Sequence, residues 1–269
     1  MIIGVPSEVK NNEFRVGLTP SSVKTIVNHG HSVYIQNNAG FNVGFSNDDY
    51  INAGAKILDT AAKIYSHAEL VIKVKEPIES EYQYLRNDLT LFTYLHLAGD
   101  LVNAKKLIAT GVRGIAYETV TSDDGSMPLL APMSAIAGQI SIVVGSYHLL
   151  KHNLGKGVLI GSFGDISPRI VTVIGGGVAG TEAISKAVAN NAFVKVIDLS
   201  KDKLVELEAR FGNQNIEYIL SSPQNIQDAI AISDLVIGAV YVIGKEAPKI
   251  VTLDTVSYTH LTLPTIRSV

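Results

Sequence analysis

The 269-residue chain contains no cysteine. That excludes disulfides and thiolate catalysis, and it suits a reducing compartment. An excess of basic charge is also missing. Its 22 Lys and Arg stand against 25 Asp and Glu, for a net charge of −3, which offers little to a nucleic-acid backbone. No uninterrupted apolar run reaches the length that crosses a bilayer. The richest stretch, 134–150, is interrupted by Gln139, Ser141 and His148 and reads as a buried helix. The first residues, MIIGVPSEVK, turn polar by position 7 and lack the basic segment and apolar stretch of a signal peptide. The expectation is a soluble cytoplasmic protein with neither nucleic acid nor membrane as a partner. What is present is enough apolar material, 46% of residues, to build the sizeable cores of two domains at this length.

The fold class expected is α/β in two domains, because short apolar runs alternate with helical patterns along the chain. Strands are expected at 2–5, 32–35, 70–74, 91–95 and 114–117. Helices are expected at 20–28, 60–68, 79–85 and 101–110, the first with Thr19 ahead of Pro20 as a start signal. A turn-rich break, TSDDGSMPLLAPM at 121–133, precedes a long apolar helix for which Ser134 is the expected N-cap. A second α/β pattern then runs through strands at 170–174, 194–197, 216–220 and 235–238. The division read from this is 1–128 for an α/β substrate domain with a mostly parallel sheet and 129–153 for an interdomain helix. Residues 154–256 are read as a Rossmann-type nucleotide domain and 257–269 as a tail.

The most specific segment is IVTVIGGGVAGTEAISKAVANNAFVKVID, residues 170–198. A β-branched run leads into Gly175, Gly177 and Gly180 in G-x-G-x-x-G spacing. The first glycine permits the tight turn, and the second lets a pyrophosphate approach the backbone. The third lets helix and strand pack closely. A helix from Val178 offers its N-terminal N–H groups and dipole to phosphates. Asp198 ends the next strand, 18 residues past the last glycine, where it meets ribose hydroxyls and disfavours a 2′-phosphate. NAD is therefore expected over NADP, although Lys195, Lys201 and Lys203 lie close enough to soften the preference. A glycine-rich strand–helix turn without a ligand is the plainer alternative.

Ligands of parallel sheets gather beyond the carboxyl ends of strands. Three ionisable residues fall there in the first domain. Arg15 lies in the loop after the first strand, Lys75 after LVIKV, and His96 after LFTYL. Each admits a plainer reading: a surface cation, a strand end paired with Glu76, a hydrogen-bonded histidine. Together they describe a site for a small anion beside a titratable group. Arg grips carboxylates in two-pronged fashion, Lys polarises a carbonyl, and His exchanges a proton near neutral pH. With a nicotinamide cofactor that carries the hydride, this suggests oxidation or reduction of a small carboxylic acid. No metal site is expected.

The segments MIIGVPSEVKNNEFRVGLTP, VIKVKEP, TYLHLA, APMSAIAG, VTVIGGGVAG and DLVIGAV, in this order over residues 1–253, closely resemble the alanine dehydrogenase family. The resemblance implies reversible oxidative deamination of L-alanine to pyruvate and ammonia with NAD, and a homohexamer. It implies that Arg15 and Lys75 hold the substrate and that His96 is the acid/base. It further implies cofactor contacts at Ser134, Val178, Ala179, Asp198, Lys203, Ser221 and Val240. Ser221 also reads as an N-cap of the helix that follows. The NAD-binding component of proton-translocating transhydrogenase is similar in both domains but does not carry the YLHLA histidine.

From residue 257 the resemblance stops. SYTHLTLPTIRSV does not continue the family pattern, whose Asp-Gln-Gly-Gly turn with a second catalytic aspartate is absent. The expectation is a nucleotide domain without most of its second half. Such a domain would show an exposed sheet edge and weak or no turnover, and a fragment that binds nucleotide without catalysis is the alternative.

Overall fold

A computed structural model describes residues 1–241 and 249–252. The chain forms two compact units, Met1–Leu129 and Leu130–Val269. The expectations for 257–269 lie outside the described residues.

The first unit winds as β1 (Ile2–Val5), α1 (Pro20–Asn28), β2 (Ser32–Gln36), α2 (Asn47–Asn52), β3 (Lys56–Leu58), α3 (Ala61–His67), β4 (Leu70–Ile72), β5 (Thr90–Thr93), α4 (Leu101–Ala109) and β6 (Arg113–Ala116). All strands pair in parallel, in the order β3-β2-β1-β4-β5-β6. The order reverses between β1 and β4, which creates a crevice beyond their carboxyl ends. Thr19 caps α1 by accepting from the Ser22 N–H, with Pro20 as its first residue. Ile3, Val5, Val33 and Ile35 form one core cluster with Tyr50. Val71, Leu89, Leu91 and Leu107 form another with Tyr65.

Several sequence expectations change. The segment expected as a helix at 79–85 is a 3₁₀ helix, Glu79–Tyr84. Strand β3 and helix α2 were not anticipated. β3 has only three residues, too few to show an alternating period. α2 is a six-residue helix defined by a capping box between Ser46 and Asp49, a signal that lies outside apolar periodicity. β4 and β5 end at Ile72 and Thr93, so Lys75 and His96 stand three residues beyond their strands.

The second unit contains α5 (Ala131–Leu149), β7 (Ile170–Ile174), α6 (Val178–Ala189), β8 (Phe193–Asp198), α7 (Lys201–Phe211), β9 (Ile216–Leu220), α8 (Pro223–Ile232) and β10 (Leu235–Gly238). Its parallel order, β10-β7-β8-β9, repeats the first unit's winding and reverses between β7 and β10. Among the described residues β10 is an edge strand. Val171, Val173, Val194 and Val196 are fully buried under Ala183, Ile184 and Ala187 of α6, as strands covered on both faces require.

Helix α5 corrects two expectations. Its N-cap is Leu130, not Ser134, because Pro132 is at home in a first turn, where a missing N–H costs nothing. It is also not buried all round. Ile136, Ile140, Val143 and Tyr147 are each about half exposed, because only one side packs on α6 and β10. That packing is close. A Cβ on Gly138 would overlap the Ala179 carbonyl oxygen, and one on Gly145 would meet Leu235 Cδ2 at 2.6 Å. Among the described residues no helix is long and apolar enough to cross a membrane.

Candidate functional site

In the second unit the sequence positions converge around the glycine turn between β7 and α6. Gly175 has φ of 100°, a conformation that side chains resist. A Cβ on it would also meet the Ala239 carbonyl oxygen at 2.7 Å and Val240 Cγ2 at 3.1 Å. Val240, beyond β10, thus lies against the turn. A Cβ on Gly180 would overlap the Gly175 carbonyl oxygen, so this position is closed to any side chain. Gly177 differs. Among the described residues a Cβ there would meet nothing within 4 Å, and as the N-cap of α6 it supplies no side-chain cap. Among the described residues no side chain caps the first N–H groups of α6, which begins at Val178 and Ala179. That arrangement fits a pyrophosphate.

Asp198 is the last residue of β8 and holds the turn from the side. Its Oδ2 accepts the Gly176 N–H at 2.6 Å, and its Oδ1 accepts the Ser200 N–H at 2.8 Å. The Lys203 stem lies against Gly176, while its ammonium pairs with Glu206 at 2.8 Å. Lys195 pairs with Glu217. Two of the three lysines near Asp198 thus carry their own acids. Ser221 donates its N–H to the Asp198 carbonyl at 2.8 Å. It is not the cap of α8. Ser222 accepts from the Asn225 N–H in that role, with Pro223 as first residue. Ser134 lies in α5 one turn before Gly138, on the same face, and Gly138 touches the start of α6.

In the first unit Arg15, Lys75 and His96 occupy the loops after β1, β4 and β5, three adjacent strands. Arg15 is held by Glu13, which accepts from its Nε at 2.8 Å and its Nη2 at 2.6 Å. Burial would raise the Glu13 carboxyl, but the Arg15 hydrogen bonds outweigh it and lower the carboxyl below the usual range. Glu76 does not pair with Lys75. Its Oε1 bonds Lys10. Among the described residues the Lys75 ammonium makes no ion pair. Burial lowers its pKa, and Lys10 and Arg15 add to the effect against Glu76. A poorly solvated lysine next to a second cation is well suited to receive an anion.

His96 has φ of 49°, a left-handed conformation uncommon outside glycine. Glu118, just past β6, stabilises it. Its carboxylate accepts the Leu95 N–H at 3.0 Å and the His96 N–H at 2.6 Å, as anions do in a nest of successive amides. The imidazole is exposed and stacks on Tyr94 with centroids 6.0 Å apart. Partial desolvation lowers its pKa, opposed by Glu76 and Glu118 and reinforced by Lys75. Among the described residues its ring nitrogens make no hydrogen bond. Sequence reasoning missed Glu13 and Glu118. Only the i, i+2 spacing of Glu13 and Arg15 was available as a signal. Glu118 reaches His96 through a strand pairing that no local pattern announces.

Two family models match the chain. Alanine dehydrogenase/PNT, N-terminal domain, covers residues 4–137, and alanine dehydrogenase/PNT, C-terminal domain, covers 141–260. The alanine dehydrogenase of Mycolicibacterium smegmatis is 46% identical over 258 residues, 96% of this chain and 69% of its own. That of Bacillus subtilis is 47% identical over 256 residues, 95% of this chain and 67% of its own. A solved L-alanine dehydrogenase superposes with a TM-score of 0.86 at 45% identity, over 96% of this chain and 71% of that one. A transhydrogenase from Sinorhizobium meliloti gives 0.77 at 24% identity, over 96% of this chain and 75% of that one, a likeness of fold. The chain belongs to the alanine dehydrogenase/PNT family.

Proposed function

We propose that the chain catalyses the reversible, NAD-dependent oxidative deamination of L-alanine to pyruvate and ammonia. The observation that carries this reading is the placement of Arg15, Lys75 and His96 beyond three adjacent parallel strands, in a chain 46% identical to an alanine dehydrogenase. Arg15, oriented by Glu13, and Lys75, with no ion pair among the described residues, bind and orient the substrate carboxylate. His96, whose pKa partial burial lowers below the ordinary imidazole value, takes the proton released as the amino acid is oxidised and returns it in the reverse direction. NAD, when bound, supplies the hydride acceptor.

For the cofactor, Gly175, Gly177 and Gly180 with Val178 and Ala179 form the phosphate cradle, and Asp198 faces the ribose. Lys203, Ser221, Val240 and Ser134 complete the set. A carboxylate at Asp198 repels a 2′-phosphate, and Lys203, already paired with Glu206, does little to offset it. The expected result is NADH formation that depends on L-alanine, with NAD bound at least about tenfold more tightly than NADP. Equal affinity would sink the NAD assignment. Hydride exchange between two nicotinamide cofactors without any need for alanine would overturn the reaction itself.

The same reading includes a homo-oligomer, hexameric as the resemblance implies, in a cytoplasmic setting that suits a cysteine-free chain. The stripe Ile136, Ile140, Val143 and Tyr147 recurs at helical spacing on α5 and is about half exposed throughout, which is unusual for a surface that meets only water. A second copy of the chain is the expected cover. Sedimentation equilibrium should show a multiple of the 28.8 kDa chain mass, and Val143→Glu should reduce it. A monomer at micromolar concentration would refute assembly.

A further inference from the structure

Beneath the substrate loops lies a buried group of ions that the proposed reaction does not use. Lys73, directly past β4, has a side chain only 1% exposed. It bonds Glu81 and stands 3.7 Å from Glu8, whose side chain is 2% exposed. Glu81 also accepts the Tyr65 hydroxyl at 3.0 Å and the Ile78 N–H at 3.1 Å. Two carboxylates thus share one buried ammonium, an arrangement with a high desolvation cost. Glu8 is the member that reaches upward. Its Oε1 accepts the Val74 N–H at 2.6 Å, and its Oε2 accepts the Lys75 N–H at 3.3 Å. Burial raises the Glu8 carboxyl above its usual range, against the pull of Lys73 and these two amides.

The sequence position of Glu8 gives this contact its meaning. Glu8 sits in the loop after β1, seven residues before Arg15, and its hydrogen bonds fall on the loop after β4 that presents Lys75. These two loops flank the point where the sheet order reverses. A single carboxylate therefore ties the segment carrying one substrate cation to the backbone of the other. The two amides could not be satisfied equally by a neutral side chain. Glutamine has one acceptor oxygen, and its NH₂ would confront the Lys75 N–H.

We infer that Glu8 is a positioning residue for substrate binding, fixing the backbone at Val74 and Lys75 relative to the Arg15 loop, with Lys73 as its buried counter-ion. The inference builds on the proposed function in taking Arg15 and Lys75 as substrate ligands.

The test uses the full 269-residue chain with Glu8→Gln, and with Glu8→Asp, which keeps the charge but is one methylene short. Tyr65→Phe serves as the control, since it removes a donor to Glu81 without touching the loop. Expected for Glu8→Gln is a rise in KM for L-alanine of about tenfold or more, with kcat changed far less and NADH affinity unchanged. Amide hydrogen exchange should quicken in the peptide spanning 73–76. Glu8→Asp should move both readings the same way by less, and it decides the matter if the glutamine variant does not fold. Tyr65→Phe should leave KM and exchange at 73–76 unaltered. An unchanged KM and unchanged exchange in a folded Glu8 variant would overturn the inference, as would an equal effect in Tyr65→Phe. If the unsubstituted chain shows no alanine turnover, the reaction assignment fails, and hydrogen exchange at 73–76 still decides the role of Glu8.

Discussion

Replacing His96 with alanine is expected to lower alanine oxidation by about 10²–10⁴-fold, the range typical for loss of a general acid/base, with NADH affinity intact. The backbone complicates the reading, because alanine in the left-handed conformation of His96 carries a cost of roughly 1–2 kcal/mol. His96→Asn separates the effects. Asparagine tolerates that conformation, so the loop geometry survives while the imidazole is gone. Both variants should lose comparable activity. A fully active asparagine variant would remove His96 from proton transfer and leave it a purely structural task. The pH profile adds a second check. The proton-accepting role proposed for His96 requires the neutral imidazole, and desolvation lowers its pKa. Activity of the unsubstituted chain should therefore persist below the ordinary imidazole value of about 6.5. It should fall as the pH drops through the lowered pKa, when the ring takes up a proton and can no longer accept one. Residual activity of the variants should lack that limb.

The second large effect comes from the glycine turn, where two alanine substitutions should fail in different ways. Gly180→Ala places a methyl against the Gly175 carbonyl. Neither backbone can yield without moving strand or helix, so stability should fall by about 1–3 kcal/mol or more. Cofactor binding should fall with it. Among the described residues the methyl of Gly177→Ala meets nothing within 4 Å, and the φ of −63° suits any residue. That variant should melt at the parental temperature and still lose cofactor affinity by about tenfold or more, because the methyl fills the space offered to the pyrophosphate. Thermal denaturation with and without NADH distinguishes them. Loss of stability in Gly177→Ala, or undiminished cofactor affinity in it, would refute this account of the turn.

What the sequence could convey follows from the range of the forces involved. The strand 170–174, the start of α6 at Val178 and Asp198 at the end of β8 agree with expectation, because each is encoded by neighbours within one βαβ unit. The placement of Arg15, Lys75 and His96 in the loops beyond β1, β4 and β5 was legible for a related reason: parallel winding sends every strand's carboxyl end to the same edge. The partners of these residues were not legible. Glu13 reads as one acid in a polar loop, and Glu118 reaches His96 from 22 residues away. Lys73 sat inside an apparent strand, LVIKV, where nothing local says that a lysine will be almost fully buried against Glu81 and Glu8. Helix α5 misled in the opposite sense. A segment apolar on all sides implies burial, and the half-exposed stripe on it depends on which neighbours are present.

The shared winding of the two units bears on how such a protein can change over generations. Each sheet reverses its order beside its first strand, and the proposed function sets an anion site at each reversal, but with different material. In the second unit the proposed function has the ligand meet main-chain N–H groups, which every substitution except proline leaves in place. Only the few glycines that keep side chains out are indispensable, so the rest of that surface is free to drift. In the first unit the proposed substrate ligands are the side chains of Arg15, which Glu13 holds, and Lys75. Any one codon there can abolish or redirect recognition. A lineage built this way keeps its cofactor while it explores new substrates, and variation in substrate preference should concentrate in the loops after β1, β4 and β5.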